Sequence, residues 1–319
     1  MRKYLLFIFA VVFIFAGCGS KDSMFKKGVV YAKAGKRDAA LTMYNKVLKK
    51  DPNYFSALVN RAIIFEQLGD DARAEKDYKR ALSLKPGNSM LLANMGAFYI
   101  KKNRTLDALS YLNRALAADN SNLLALLNRA QAYNSLGYPY KAMEDLKEAE
   151  IIAPDSQSVI VSKAKLDYEM HNYKDALDGF SKAIYNSPKN AGYFYRRGKV
   201  FKAMGHYANA LSDFDVAVSL KKDYIPALYA KAQLLFKSGD YEAALADLNK
   251  IKSIDNKYVK AYEFSGDILA IEDPVSATSN YIAARKLDPK NTKRYNAKIK
   301  LMRTDAGRRG VIKRTLNDI

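Results

Sequence analysis

FSALVNRAIIFEQLGDDARAEKDYKRALSLKPGN, residues 55–88, recurs in outline along most of the chain at one fixed interval. Its Ala74 belongs to a column, Ala40, Ala74, Ala108, Ala142, Ala176, Ala210 and Ala244, spaced 34 residues apart, with Ala277 following one residue early. A period of that length marks stacked helical hairpins, each too small to bury its apolar face alone. In the same frame the eighth position of each repeat is small: Gly28, Ala62, Gly96, Ala130, Ala164, Gly198, Ala232 and Gly266. Near the twenty-fourth it is large: Tyr44, Tyr78, Leu112, Leu146, Phe180, Phe214, Leu248 and Tyr281. A bulky side chain on one helix facing a small one on its partner lets the two pack closely. Gly35, Gly69, Gly137, Gly205 and Gly239 stand where the first helix of a repeat should end in left-handed backbone. Pro52, Pro86, Pro154, Pro188 and Pro289 stop the second helix.

Together these columns resemble the tetratricopeptide repeat family, in one register from residue 21 to residue 291. The resemblance implies an all-α fold: a right-handed α-solenoid of about eight helical hairpins over residues 23–291, whose first helices line a concave groove. Members of the family hold extended peptides or partner helices in such a groove. Two repeats depart from the pattern. The fifth has Asp167 in place of a large apolar residue and His171 in place of Gly, and the eighth has Asp273-Pro274 in its shortened turn. Beyond Pro289, Tyr295, Ile299 and Met302 fall at helical spacing, so 292–303 is expected to cap the last repeat. Gly307 and Gly310 among basic residues make 304–319 read as a basic flexible tail.

The beginning of the chain has a different character. Arg2 and Lys3 precede an apolar run from Leu5 to Phe15, too short for a membrane span of about 20 residues. Basic start, apolar run and small residues read as a secretory signal over 1–17. Phe15-Ala16-Gly17-Cys18 is similar to the bacterial lipobox, with Phe15 where Leu is usual. The similarity implies cleavage before Cys18, the chain's one cysteine, and anchoring of its thiol to the membrane by diacylglycerol with acyl chains such as palmitate. Residues 18–22 then form a lipidated tether, which reaches under about 20 Å and holds the first hairpin close to the headgroups. Gly19, which is not Asp, permits the outer membrane.

Charge follows the same division between ends and middle. The net charge is +20, but residues 21–54 carry nine Lys/Arg against three Asp/Glu, and residues 292–319 nine against two. The basic surface of Lys21, Lys26, Lys27, Lys33, Lys36 and Arg37 either faces anionic lipid or is a solvated helix face. Because the middle of the stack is nearly neutral, an acidic ligand threaded through all of it is not expected.

Candidate binding residues fall on the first helices. The sixth position holds Asn60, Asn94 and Asn128 in three successive repeats. Each amide has one acceptor and two donors, suited to the N–H and C=O groups of an extended peptide; Asn is also frequent at this repeat position. Farther along, Lys165, Arg196, Lys199, Lys202 and Lys237 alternate with Tyr168, Tyr195, Tyr229 and Phe236, a combination suited to an acidic peptide. No repeat pairs Lys at its fifth position with Asn at its ninth, so the two-carboxylate clamp of chaperone-binding members is not expected. His171 and His206 fall in turns, and no HExxH, CxxC, GK[ST] or GxSxG stretch occurs. An enzyme, a metal site, a cofactor and a small-molecule substrate are therefore not expected. A nucleic-acid role fits the charge but not the export signal. These features together describe an envelope lipoprotein acting as a scaffold for envelope proteins or peptide segments; the alternative is a binder of anionic polymer or headgroups through the basic ends.

Overall fold

The computed structural model describes residues 20–319. The segment 1–17 and Cys18 lie outside the described residues. The chain forms two compact units, divided between Ile152 and Ala153. No strand occurs among the described residues.

The first unit holds α1 (Lys21–Lys33), α2 (Arg37–Lys50), α3 (Phe55–Gln67), α4 (Asp71–Leu84), α5 (Ser89–Lys101), α6 (Thr105–Ala118), α7 (Leu123–Ser135) and α8 (Pro139–Ile152). The second holds α9 (Gln157–Glu169), α10 (Tyr173–Asn186), α11 (Ala191–Ala203), α12 (Tyr207–Leu220), α13 (Ile225–Lys237), α14 (Tyr241–Ile254), α15 (Val259–Leu269), α16 (Pro274–Leu287), α17 (Thr292–Leu301) and α18 (Asp305–Asp318). From α1 to α16, each odd-numbered helix packs against the even-numbered one that follows, giving eight hairpins in the register read from the sequence.

The columns do the work expected of them. All eight alanines are fully buried, and so are Tyr44, Tyr78, Leu112, Phe180, Phe214, Leu248 and Tyr281 on the second helices. Each large side chain removed from water contributes about 1.5–3 kcal/mol, which short isolated helices need. At Gly96 a Cβ would stand 2.5 Å from the Leu112 side chain, so only hydrogen fits at this crossing. The turn glycines have φ between 72° and 86°; in the third and fifth repeats Asn103 (57°) and His171 (63°) hold the same left-handed turn. His171 replaces the usual Gly without opening the hairpin, and its Nδ1 lies 2.7 Å from the Tyr173 hydroxyl. Asp167 and its neighbour Leu166 are both buried.

Asn and Asp side chains open several helices. Asp70, Asn88, Asn122 and Asp240 each accept from the backbone N–H three residues on, at 2.8–3.1 Å, satisfying donors that a helix start leaves free.

After the eighth hairpin, α17 covers the end of the stack and buries Tyr295, as its spacing predicts. The expected flexible tail is corrected: 305–318 is a helix. The Thr304 hydroxyl accepts from the Gly307 N–H at 3.1 Å, Asp305 pairs with Arg308, and Val311 and Thr315 are buried. Two glycines cost about 1 kcal/mol each in a helix interior, and tertiary contact outweighs that. Gly307 is also required by space, since a Cβ there would meet the Leu301 carbonyl oxygen at 2.4 Å.

Candidate functional site

In the first unit, Asn60, Asn94 and Asn128 occupy equivalent turns of α3, α5 and α7, all half-buried, and α5 packs directly on α7. Among the described residues none of the three makes a side-chain hydrogen bond, and the Asn128 amide nitrogen is fully buried without a partner. A buried unpaired donor costs about 1–3 kcal/mol.

In the second unit, α9 and α11 bring together Lys165, Tyr168, Tyr195, Arg196, Lys199 and Lys202. Lys199 Nζ lies 4.7 Å from the centre of the Tyr168 ring, and Lys202 donates to Gln233 Oε1 at 3.1 Å. Burial first, then the Arg196 guanidinium, holds the Lys165 and Lys199 ammonium groups below the ordinary lysine range. Burial, then Lys237 and Lys199, does the same to Lys202. Cations clustered with more positive than negative neighbours favour an incoming anion. Tyr168, Tyr195, Lys199, Lys202 and Gln233 line a cavity of about 280 Å³, which Ile319, the residue after α18, also borders.

Three predicted members stand apart from this cluster. Tyr229 packs on Tyr258 and Phe264 and borders a neighbouring cavity of about 440 Å³. Lys237 is exposed at the end of α13, where its Nζ donates to the Tyr207 hydroxyl at 3.1 Å. Phe236 is a core residue, 1% exposed, not a groove aromatic.

Tetratricopeptide repeat models match residues 25–89, 124–156 and 225–258. This chain is a tetratricopeptide repeat protein. Its fold is similar to that of a tetratricopeptide repeat protein from Parabacteroides merdae, with 24% identity, a TM-score of 0.59 and coverage of 78% of this chain and 99% of that one. It is similar to pilF of Pseudomonas aeruginosa at 20% identity and TM-score 0.58, covering 67% and 97%. PilW, a type IV pilus biogenesis factor, matches at 22% identity and TM-score 0.59, covering 64% and 94%. No curated protein sequence matches significantly. Tetratricopeptide repeats bind peptides or partner proteins, so this chain has the fold of a protein-interaction scaffold.

Two features of these tetratricopeptide repeats were not read from the sequence. Arg61, Arg129 and Arg197 each place a bidentate fork on an aspartate sixteen residues on, Asp77, Asp145 and Asp213, at 2.7–2.9 Å. The remaining nitrogen of each reaches back to the preceding second helix, at Asn45, Asn113 and Ser181. One guanidinium therefore joins three helices, at every second repeat. The signal was present as a doubled period of 68 residues in Arg and Asp, hidden because the intervening repeats hold Met95, Lys163 and Lys231. The second feature is a buried polar cluster under α18. Asp267 accepts from Tyr281 (2.7 Å), Lys298 (2.7 and 3.0 Å) and Thr315 (3.2 Å), while Glu263 pairs with Arg294 and Lys298 at 2.6 and 2.7 Å. Burial nevertheless pushes the Asp267 carboxyl up from its ordinary value.

Proposed function

We propose that this protein is an exported, lipid-anchored scaffold of the cell envelope that holds an extended segment of a partner protein along the first helices of its first unit. The observation that carries the binding face is the row Asn60, Asn94 and Asn128, three amides in register whose hydrogen-bonding capacity is unused among the described residues. Side chains of this type bond a peptide backbone without selecting its side chains. The anchor rests on the sequence from Arg2 to Cys18, and its consequence is that the first hairpin works close to the membrane. Lys26, Lys27, Lys33 and Lys36 are exposed there, as a face toward anionic headgroups requires. Similarity of fold to a type IV pilus biogenesis factor is in keeping with envelope assembly work.

A role for the basic carboxyl-side region as a binder of anionic polymer is less favoured. Lys298, Arg294 and Arg308 there are engaged by Glu263, Asp267 and Asp305.

Two measurements test the reading. Wild-type protein should partition into the detergent phase with acyl mass on Cys18, and Cys18→Ser should not; an intact mass that retains 1–17 without acyl chains refutes the anchor. A photo-crosslinking residue in place of Ala97, half-buried on α5 beside the row, should capture a partner in intact cells, and Asn94→Ala with Asn128→Ala should reduce that product severalfold. An undiminished product refutes the row as the binding face.

A further inference from the structure

Position 252 interrupts a column of the repeat. In the 34-residue frame it follows Leu48, Leu82, Leu116, Ile184 and Val218, with Glu150 in the fourth repeat, so the second helix usually places an aliphatic side chain here. Leu48 and Leu116 are buried accordingly. Lys252, on α14, is half-buried, and its amine meets side chains of α15 and α16. Its Nζ donates to Asn280 Oδ1 at 2.9 Å and to Asn249 Oδ1 at 3.3 Å, and the centre of the Tyr262 ring lies 5.1 Å away. Asn280 is fixed with its oxygen toward the lysine, because its Nδ2 donates to the Ser276 carbonyl at 2.9 Å.

Lys231 and Lys298, in the same unit, each meet a carboxylate at 2.7 Å. Among the described residues Lys252 makes no ion pair. An ammonium here brings three protons to two amide oxygens, whereas a free amine gives one N–H to each oxygen and keeps its lone pair. The surroundings therefore fit the uncharged amine, and burial by itself lowers Lys252 from 10.5 to about 8. That drop raises the fraction of free amine near pH 7 about 300-fold, and the weaker basicity offsets only part of the gain in nucleophilicity.

We propose that Lys252 is an acylation site, which takes a small acyl group from an activated donor, an acyl phosphate or a thioester. The amine adds to the donor's carbonyl carbon, the phosphate or thiolate leaves, and the proton lost from nitrogen passes to the leaving group. One C–N bond forms as one C–O or C–S bond breaks, and nothing is oxidised or reduced. The product amide keeps one N–H for Asn280 and carries no charge, which suits a position that is aliphatic in most repeats. Methylation would keep the charge and so lacks this match. Acylation tightens α14 against α16. The inference depends on neither the membrane anchor nor the amide row of the first unit.

The test incubates the full-length protein near neutral pH with acetyl phosphate and, in a parallel arm, with S-acetyl-N-acetylcysteamine, and times acetylation of each lysine by peptide mass spectrometry. Lys252 should react roughly tenfold faster, or more, than Lys257, which is exposed in the turn before α15. In concentrated urea the two rates should become equal. Asn280→Asp is nearly isosteric and sets a carboxylate against the amine, so it should hold the ammonium form and slow Lys252 roughly tenfold; mere accessibility would leave the rate unmoved. Lys252→Gln, an uncharged stand-in for the acylated side chain, should raise the urea midpoint, and hydrogen exchange in α14–α16 should slow after acetylation. Selective reaction with either donor supports the proposal and names the source of the acyl group. A rate no greater than that of Lys257 with both donors overturns it, as does selectivity that survives urea or an Asn280→Asp chain that reacts as fast as wild type. A lower midpoint for Lys252→Gln also overturns it, since the position would then require the charge.

Discussion

The two units share a hairpin and differ in what their first helices present. In the first, the row at α3, α5 and α7 is of neutral amides; in the second, α9 and α11 present lysines, an arginine and tyrosines, and α18 lies across the groove. The alanine column and the large residues opposite it are the same in both, because hairpin packing fixes those positions. Groove positions carry no such constraint, so one hairpin plan presents neutral amides in one unit and charged and aromatic side chains in the other.

The largest expected effect tests whether the two units are independent. Arg129→Met leaves Asp145 without its guanidinium in the first unit, and Arg197→Met does the same to Asp213 in the second. Both carboxylates are about 5% exposed, and breaking such a pair costs about 3 kcal/mol. Hydrogen exchange resolved by residue should show Arg129→Met loosening α3–α8 and Arg197→Met loosening α9–α16. Equal loosening of both units by either variant means that the division at Ile152 does not bound cooperativity.

Overpacking comes next. Ala142 is fully buried where α8 crosses α7, and Ala142→Leu should cost about 1–3 kcal/mol, read as a lower urea midpoint. Ala210→Leu, the equivalent change in the second unit, should cost a similar amount. A large inequality would show that the column does not play the same part in both.

The amide row should separate binding from stability. Each of Asn94→Ala and Asn128→Ala should weaken partner binding by about 0.5–1.5 kcal/mol. Asn128→Ala also removes a buried donor that has no partner, so its urea midpoint should hold or rise. A fall in that midpoint would mean that the amide serves the fold.

The remaining effect is one of pH, and it belongs to the second unit. Burial lowers Lys252 from 10.5 to about 8, and Lys165, Lys199 and Lys202 are lowered in the same sense. A base with a lower pKa in the folded chain than in the unfolded one costs stability while it is protonated. That cost fades as pH rises from about 8 toward 10.5, so alkaline conditions favour the folded state at this site. Thermal melts of wild type and Lys252→Met should therefore differ most below pH 8, with the variant more stable, and converge only as pH passes 10.5. A constant difference would mean that the lysine is not titrating there.

How much of this was legible depends on whether each feature repeats. Ala40 to Ala277, the turn glycines and the hairpin register were legible because each recurs in nearly every repeat. His171 looked like a defect and is a left-handed turn residue like Asn103. The Arg–Asp forks recur at twice the period, so no column at 34 residues displays them. Of the groove residues, Lys165, Tyr195, Arg196, Lys199 and Lys202 do come together, whereas Lys237 and Phe236 do not. Their helix is right, but side chains at its end and on its buried face are claimed by Tyr207 and by the core.

The sequence by itself determined the all-α hairpins, their register and the residues at every close crossing, because those follow from local periodicity and from side-chain size at fixed spacing. It did not determine the division into two units or the fate of 304–319. Two glycines and six charged residues there read as loose chain, and only the tertiary structure supplies what holds them: Asp267 beneath Thr315, and an apolar groove beneath Val311 and Ile319. That helix exists because of contacts with other helices, some of them about fifty positions or more away, which no local pattern encodes.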